Sequence, residues 1–253
     1  MRTQNFLGIK LLLSLAAPCV CAVAAYAQTA RPSQTFETSA GPVKITPIFH
    51  ASTLIEAGGK AIYVDPAKPS DFSGLPAADL ILISDIHGDH MDPGAIATLS
   101  KSDTQIIAPA AVVKTVTTAK TLSNGETTKW EQWTIEAIPM YNLTRGPEAG
   151  KLYHDKGRGN GYVLTYGGKR FYFSGDTEAI PEMRALKNID VAFVCFNLPY
   201  TMTPEEAADG VLAFHPKVVI PYHFRGSDVS VFQKKLEGSG IEVRVLDWYP
   251  KKS

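Results

Sequence analysis

Four residues able to bind metal, Asp85, His87, Asp89 and His90, fall within six positions directly after the apolar run Leu80-Ile81-Leu82-Ile83. A short apolar run before a turn reads as a buried strand, so these side chains sit on the loop leaving its carboxyl end, where α/β sheets place their chemistry. Imidazole mixed with carboxylate is the donor set of zinc and its first-row neighbours. The plain alternative is a polar turn that caps the helix opened by Asp92-Pro93. Capping needs one acid and no histidine, and the segment holds more than that. Further along lie Asn142, Asp176 and His223, each at the end of another apolar run, and His154 in a stretch rich in glycine and charge.

The segment from Ser84 to His90 resembles the metallo-β-lactamase superfamily signature His-x-His-x-Asp-His, with Asp85 standing where the first His is expected. Ala137 to Asn142 looks like the strand that carries the family's third His, here replaced by Asn142. Ser174-Gly175-Asp176-Thr177 resembles the segment whose Asp bridges two metals, and Pro221-Tyr222-His223 the one that delivers the last His. The block Thr201 to Ala207 is most similar to the ascorbate-phosphate-lactonase-like branch. The resemblance implies a four-layer αββα sandwich of the α/β class and one or two divalent ions, most often zinc. It implies a second site of Asp89, His90, His223 and bridging Asp176, and a first site of Asp85, His87, Asp176 and Asn142. Trading two imidazoles for a carboxylate and an amide makes the first site harder, which shifts preference toward manganese or iron(II).

The long stretch Leu143 to Asn160 lacks strand or helix periodicity, and loops of that length are often functional. Within it His154 is expected either to donate to the transition state or to replace the missing imidazole, and Arg145, Lys156 and Arg158 to hold an anionic substrate group. His50, before Ala51-Ser52-Thr53, resembles a His that the lactonase-like branch keeps near its metals, and is expected to contact substrate. Gly157, Gly159 and Gly161 do not follow a strand in a Gly-x-Gly-x-x-Gly layout, so no phosphate cradle is read there. Gly-x-Ser-x-Gly is absent, and Cys195 has neither His nor cation beside it.

Positioning these residues requires two halves of strands followed by helix. Val43 to Phe49, Thr53 to Ala57 and Ala61 to Val64 are β-rich runs, the last two joined through Gly58-Gly59. Leu80 to Ile83 and Gln105 to Ala108 flank a helix from Pro93 to Leu99. Trp133-Ile135-Ala137 alternates as a half-buried strand. Tyr162 to Tyr166, Arg170 to Phe173, Asp190 to Phe196 and Lys217 to Pro221 follow. Thr203-Pro204-Glu205-Glu206 is a capping box, and Ser227 or Asp228 opens a last helix that stops at Gly238.

The chain of 253 residues is filled by one such sandwich over residues 43–253. Residues 1–27 read as a secretory signal, with Arg2 and Lys10, an apolar centre and the cleavage site Ala25-Tyr26-Ala27. Pro18 before Cys19 and Val20 before Cys21 fit lipid attachment poorly, so a periplasmic or secreted protein without a stable membrane anchor is expected. Residues 28–42 read as a flexible leader. Taking Arg2 and Lys10 from 25 basic side chains leaves 23 against 25 acidic, a net charge of about −2. Nucleic acid and anionic membrane need concentrated positive charge, so neither is an expected partner. The expected function is a metal-dependent hydrolase that uses a metal-bound hydroxide, oriented by Asp89, on an ester, lactone or phosphoester bond of a small molecule. A non-catalytic metal-binding or sensing protein on the same fold is the alternative.

Overall fold

Alternating apolar positions build two seven-stranded sheets whose inner faces meet. The computed structural model describes Met1 and residues 31–250, so the expected signal segment, Met1 apart, lies outside the described residues. The first sheet runs in chain order: β1 (Gln34–Phe36), β2 (Val43–Phe49), β3 (Ser52–Ala57), β4 (Lys60–Val64), β5 (Ala78–Leu82), β6 (Ser100–Ala108) and β7 (Lys120–Thr121). The second holds β8 (Thr127–Trp130), β9 (Trp133–Met140), β10 (Gly159–Tyr166), β11 (Lys169–Phe173), β12 (Val191–Cys195), β13 (Val218–Tyr222) and β14 (Glu242–Val243). In each sheet the first four strands pair antiparallel and the rest pair parallel, so one plan is used twice. The expected two halves are therefore present.

Side chains on neighbouring residues separate the layers, because successive strand residues point to opposite faces. Ile62, Leu80 and Leu82 face the second sheet, whereas Tyr63, Ile81 and Ile83 pack outward. That outer face is covered by Ile96 and Leu99 of α1 (Pro93–Leu99) and Val112 of α2 (Ala110–Val113). On the second sheet Phe171 meets Trp133 and Phe36, while adjacent Tyr172 turns to Phe214. Its outer helices are α3 (Pro181–Arg184), α4 (Pro204–Phe214) and α5 (Val229–Leu236). The layers form the αββα sandwich. Asp92 accepts from the Ala95 amide with Pro93 at the first helical turn, and Thr203 and Glu206 complete the capping box of α4, so both helices begin where their capping residues place them. Asp228 caps α5.

One boundary is corrected. The leader was expected to be flexible throughout 28–42, yet Gln34–Phe36 pairs with β2, Gln34 opposite Ile45 and Phe36 opposite Val43. Phe36 is buried, edge-on to Phe171 at 5.8 Å and under the Arg244 guanidinium at 5.3 Å. One aromatic residue in a short polar run carries no periodicity, but its burial stabilises the edge strand. Among the described residues no helix is long and apolar enough to cross a membrane. Phe36→Ala is expected to destabilise the fold by about 3 kcal/mol, the usual cost of deleting a buried phenyl group. Urea unfolding measures this, and an unchanged midpoint would mean that the segment contributes nothing.

Candidate metal centre

The site forms where strands of both sheets end. The loop after β5 brings Asp85, His87, Asp89 and His90, the turn between β2 and β3 brings His50, and the loops after β11 and β13 bring Asp176 and His223. Three of the six non-glycine residues with positive φ among the described residues are His50 (55°), His223 (50°) and Asp65 (48°), the last following β4. A side chain in that region costs of order 1–3 kcal/mol, and such strain collects at functional sites. Gly175, at φ 60°, sits where a Cβ would come within 2.6 Å of Met140 Sδ, and its amide donates to Tyr222 Oη at 2.8 Å. Only glycine lets this turn drop Asp176 between the sheets.

Around Asp176 the donors converge. His90 Nε2 lies 3.2 Å and His154 Nε2 3.3 Å from Asp176 Oδ2, and His223 Nε2 lies 3.4 Å from Oδ1. Asp89 Oδ2 is 3.3 Å from His223 Nε2. His90, His154, Asp176 and His223 are all buried, and Nε2 of each histidine and Oδ1 of Asp176 have no hydrogen-bond partner. Orphaned buried polar atoms are rare, because each costs about 1–3 kcal/mol. Several aimed at one point fit a divalent ion, and His90, Asp176 and His223 offer ligand atoms that all lie within 4.8 Å of one another.

Two of the three imidazoles, His90 and His154, are held through Nδ1 so that Nε2 faces the centre. Asp65 Oδ2 lies 2.8 Å from His90 Nδ1, and its other oxygen accepts from the Ser84 amide at 2.7 Å. A carboxylate only accepts, so Nδ1 keeps a proton and Nε2 is the nitrogen left to give a lone pair to a bound ion. The Asn142 amide oxygen does the same for His154, 2.7 Å from Nδ1 and 2.8 Å from the backbone nitrogen. The arrangement at His50 is reversed. Tyr249 Oη accepts from the Phe224 amide at 3.0 Å, so its own proton goes to His50 Nδ1 at 2.7 Å. His50 Nε2 is then an N–H donor, 3.4 Å from Asp89 Oδ2. The His50 ring packs on His223 with centroids 3.6 Å apart. Burial outweighs the opposing pull of Asp89 and, with nearby His223 and His90 adding to it, lowers its pKa to about 4, so it is neutral near pH 7.

The pocket's charge calls for a cation. Burial opposes ionisation of Asp176, yet His223, His90 and His154 hold its carboxyl well below the usual range. Burial likewise opposes charging of His90, but Asp176 and Asp65 raise its pKa well above that of an ordinary histidine.

Three expected roles change. Asn142 is not a free donor, because its oxygen holds His154 and its nitrogen donates to Glu178 Oε1 at 3.2 Å and the Tyr200 carbonyl at 2.8 Å. Arg145 does not face the site. It reaches Glu206 Oε2 at 2.7 Å and Glu178 Oε1 at 3.6 Å, two acids that outcompete any distant anion. Asp85 points into the site but is taken by Arg158, whose Nε and Nη2 lie 3.1 and 2.8 Å from its two oxygens. His87, half-exposed, turns Nδ1 to Asp85 Oδ2 at 3.0 Å. Two further residues matter: Asp65, signalled only by an acid ending the apolar run Ala61 to Val64, and Arg225, a cation two positions after His223. Arg225 lies 5.4 Å from the centre of the Phe49 ring and lines the same cavity of about 710 Å³ as His154, Asp176, Tyr153, Leu198 and Tyr200. Removing the acceptor that fixes His90, by Asp65→Asn, is expected to weaken metal binding about 10- to 100-fold. Competition against a chelator reads this, and an unchanged affinity would remove Asp65 from the site.

A β-lactamase superfamily domain model matches residues 44–223. A UPF0173 metal-dependent hydrolase of Thermococcus kodakarensis is 30% identical over 224 residues, covering 81% of this chain and 96% of the relative. One from Deinococcus radiodurans is 29% identical over 227 residues with the same coverage. A crystal structure of a candidate metal-dependent hydrolase from Parabacteroides distasonis is 42% identical, with a TM-score of 0.83 over 87% of this chain and 100% of that one. Igni18, a metallo hydrolase of Ignicoccus hospitalis, shares the fold at 24% identity and a TM-score of 0.68, over 81% of this chain and 94% of that one. With its sequence, its two sheets and its seam of imidazoles and carboxylates all in agreement, the chain belongs to the UPF0173 metal-dependent hydrolases of the metallo-β-lactamase superfamily.

Proposed function

We propose that this hydrolase cleaves an ester, lactone or phosphoester bond of a small molecule at a zinc-preferring centre held by His90, His154, His223, Asp176 and Asp89, outside the cytoplasm. The observation that carries the reading is the set of buried Nε2 and carboxylate atoms left without partners around Asp176. Three neutral imidazoles with carboxylate are borderline-soft donors, which suits zinc better than manganese. A bound divalent ion supplies Lewis acidity toward a carbonyl or phosphoryl oxygen and a nucleophile from water near neutral pH.

The chain's own residues supply the rest. Asp89 lies in the cavity wall with its side chain 44% exposed. Burial opposes its charge, but the nearby imidazoles of His223, His50 and His90 hold its carboxyl far below the usual carboxylate range. It is thus an acceptor that can orient an attacking water. His50 turns its one N–H toward Asp89 and so helps to hold that carboxylate in place. Tyr153 and Tyr200 meet edge-on at 5.0 Å and, with exposed Leu198, form an apolar wall, while Arg225 supplies a cation in the same cavity. That pairing suits a substrate with an apolar body and an anionic or strongly polar group. The likeness of Thr201 to Ala207 to the lactonase-like branch supports the ester or lactone choice. Cys195 is no rival nucleophile, since burial pushes its thiol up to about 11.

Single changes His90→Ala and His223→Ala are each expected to lose most bound metal and most activity on a panel of aryl esters, lactones and phosphodiesters. Elemental analysis with the assay checks this, and full metal and activity in both variants would refute the site. Exported protein is expected to begin at Gln28, as N-terminal sequencing would show. A lipid on Cys19 or Cys21 would refute the unanchored form.

A further inference from the structure

We propose that the guanidinium of Arg158 occupies the position of a first metal ion, so that this chain holds one ion where its superfamily resemblance implies two. The inference rests on the metal-centre reading above and concerns how many ions that centre takes.

The donors divide sharply into engaged and unengaged. A first ion would draw on Asp85, His87 and either the residue at 142 or His154 beside bridging Asp176, and Asp85, His87 and His154 offer ligand atoms within 4.8 Å of one another. Both Asp85 oxygens are bound by Arg158, in the two-pronged arrangement that a planar guanidinium makes with carboxylate. Nη2 of the same arginine lies 3.5 Å from His87 Nε2, and the other His87 nitrogen is bound to Asp85. Asn142 spends its oxygen on His154 and its nitrogen on Glu178 and Tyr200. None of these atoms is among the buried orphans, whereas the donors around Asp176 are. Of the side chains that would make a first site, only His154 offers an unpartnered atom, and its Nε2 lies nearer Asp176 Oδ2, at 3.3 Å, than Asp85 Oδ2, at 3.8 Å.

Arg158 is placed there by backbone. Its amide donates to the Asp155 carbonyl at 3.1 Å, closing a turn, and the Asn160 amide donates to the Ser84 carbonyl at 2.9 Å. Between them Gly159 leaves no room for a side chain, since a Cβ would lie 2.4 Å from Met140 Cε and 2.8 Å from the Ser84 carbonyl oxygen. The start of β10 is thereby pressed against the loop after β5, with the Arg158 side chain only 18% exposed over fully buried Asp85. A guanidinium keeps its proton at any working pH, so it is a fixed positive charge. A divalent ion entering beside it would meet repulsion and would have to displace it from both carboxylate oxygens. Among the carboxylates that face the ion positions, Arg158 cancels Asp85 and leaves Asp89 and Asp176 to face one divalent ion.

The test is metal stoichiometry of the full chain after export. Protein saturated with zinc, and separately with manganese, then freed of loose ions by gel filtration, is expected to carry about one ion per chain by elemental analysis. Manganese-loaded protein should show an uncoupled paramagnetic resonance spectrum. About two ions per chain, or an exchange-coupled manganese pair, overturns the proposal while leaving the hydrolase reading intact. No ion in the wild type, with His223→Ala unchanged, fails both. In Asp85→His combined with Arg158→Met the position is opened and given an imidazole, and content is expected to rise to about two. A double variant that melts like the wild type yet stays at one overturns the proposal. If that variant does not fold, the wild-type stoichiometry and spectrum still decide.

Discussion

Buried negative charge is the constraint to which the rest of this structure answers. Asp65, Asp85 and Asp176 have almost no solvent contact, and Asp89 lies beside them at the cavity wall. An isolated carboxylate away from water is expensive enough that it is paired, metal-bound or protonated. Here each acid has a different answer. Asp85 takes an arginine, Asp65 takes the inner nitrogen of His90 with the Ser84 amide and hydroxyl, and Asp176 and Asp89 face imidazoles whose outer nitrogens lack partners. Burial at the seam keeps water from screening these charges, which is what makes the centre an avid cation site.

The architecture brings that charge together without any long element reaching across. Parallel strands end on one side of each sheet, and the loops that leave them are short enough to be positioned by the strands behind them. Positive-φ backbone at His50, Asp65 and His223 turns side chains inward that a regular strand would send elsewhere. The local strain is balanced by two large hydrophobic clusters, one between the sheets and over the second, the other under α1 and α2.

Much of this was legible in the sequence, and the unread parts share one physical cause. The loop from Ser84 to His90 stood out because its donors are adjacent in the chain, and α1 and α4 because capping is local chemistry. Strand cores followed from apolar runs. What did not show was pairing at a distance: Asp85 with Arg158 across 73 positions, Asp65 with His90 across 25, and Arg145 with Glu178 across 33. Asn142 reads as a substituted ligand because it occupies the right strand end. Only the fold reveals that it holds a histidine 12 residues later, which restores the imidazole from a loop. The strand β1 was missed for a related reason, since its one informative residue, Phe36, gains meaning only against Phe171.

The doubled sheet plan has a consequence for the protein's life in the cell. Asp89 and His90 come from the first half, and His154, Asp176 and His223 from the second, so an ion in the seam adds a tie between halves already joined by packing and by pairs such as Arg158 with Asp85. An ion that binds only the folded chain adds stability by mass action, about 2.7 kcal/mol when its concentration is a hundredfold above the dissociation constant. Where metal is scarce, that tie is lost and like charges are left facing one another across the seam. Chains in that state are expected to open more often and to meet proteases more often, which ties their survival to the metal around them.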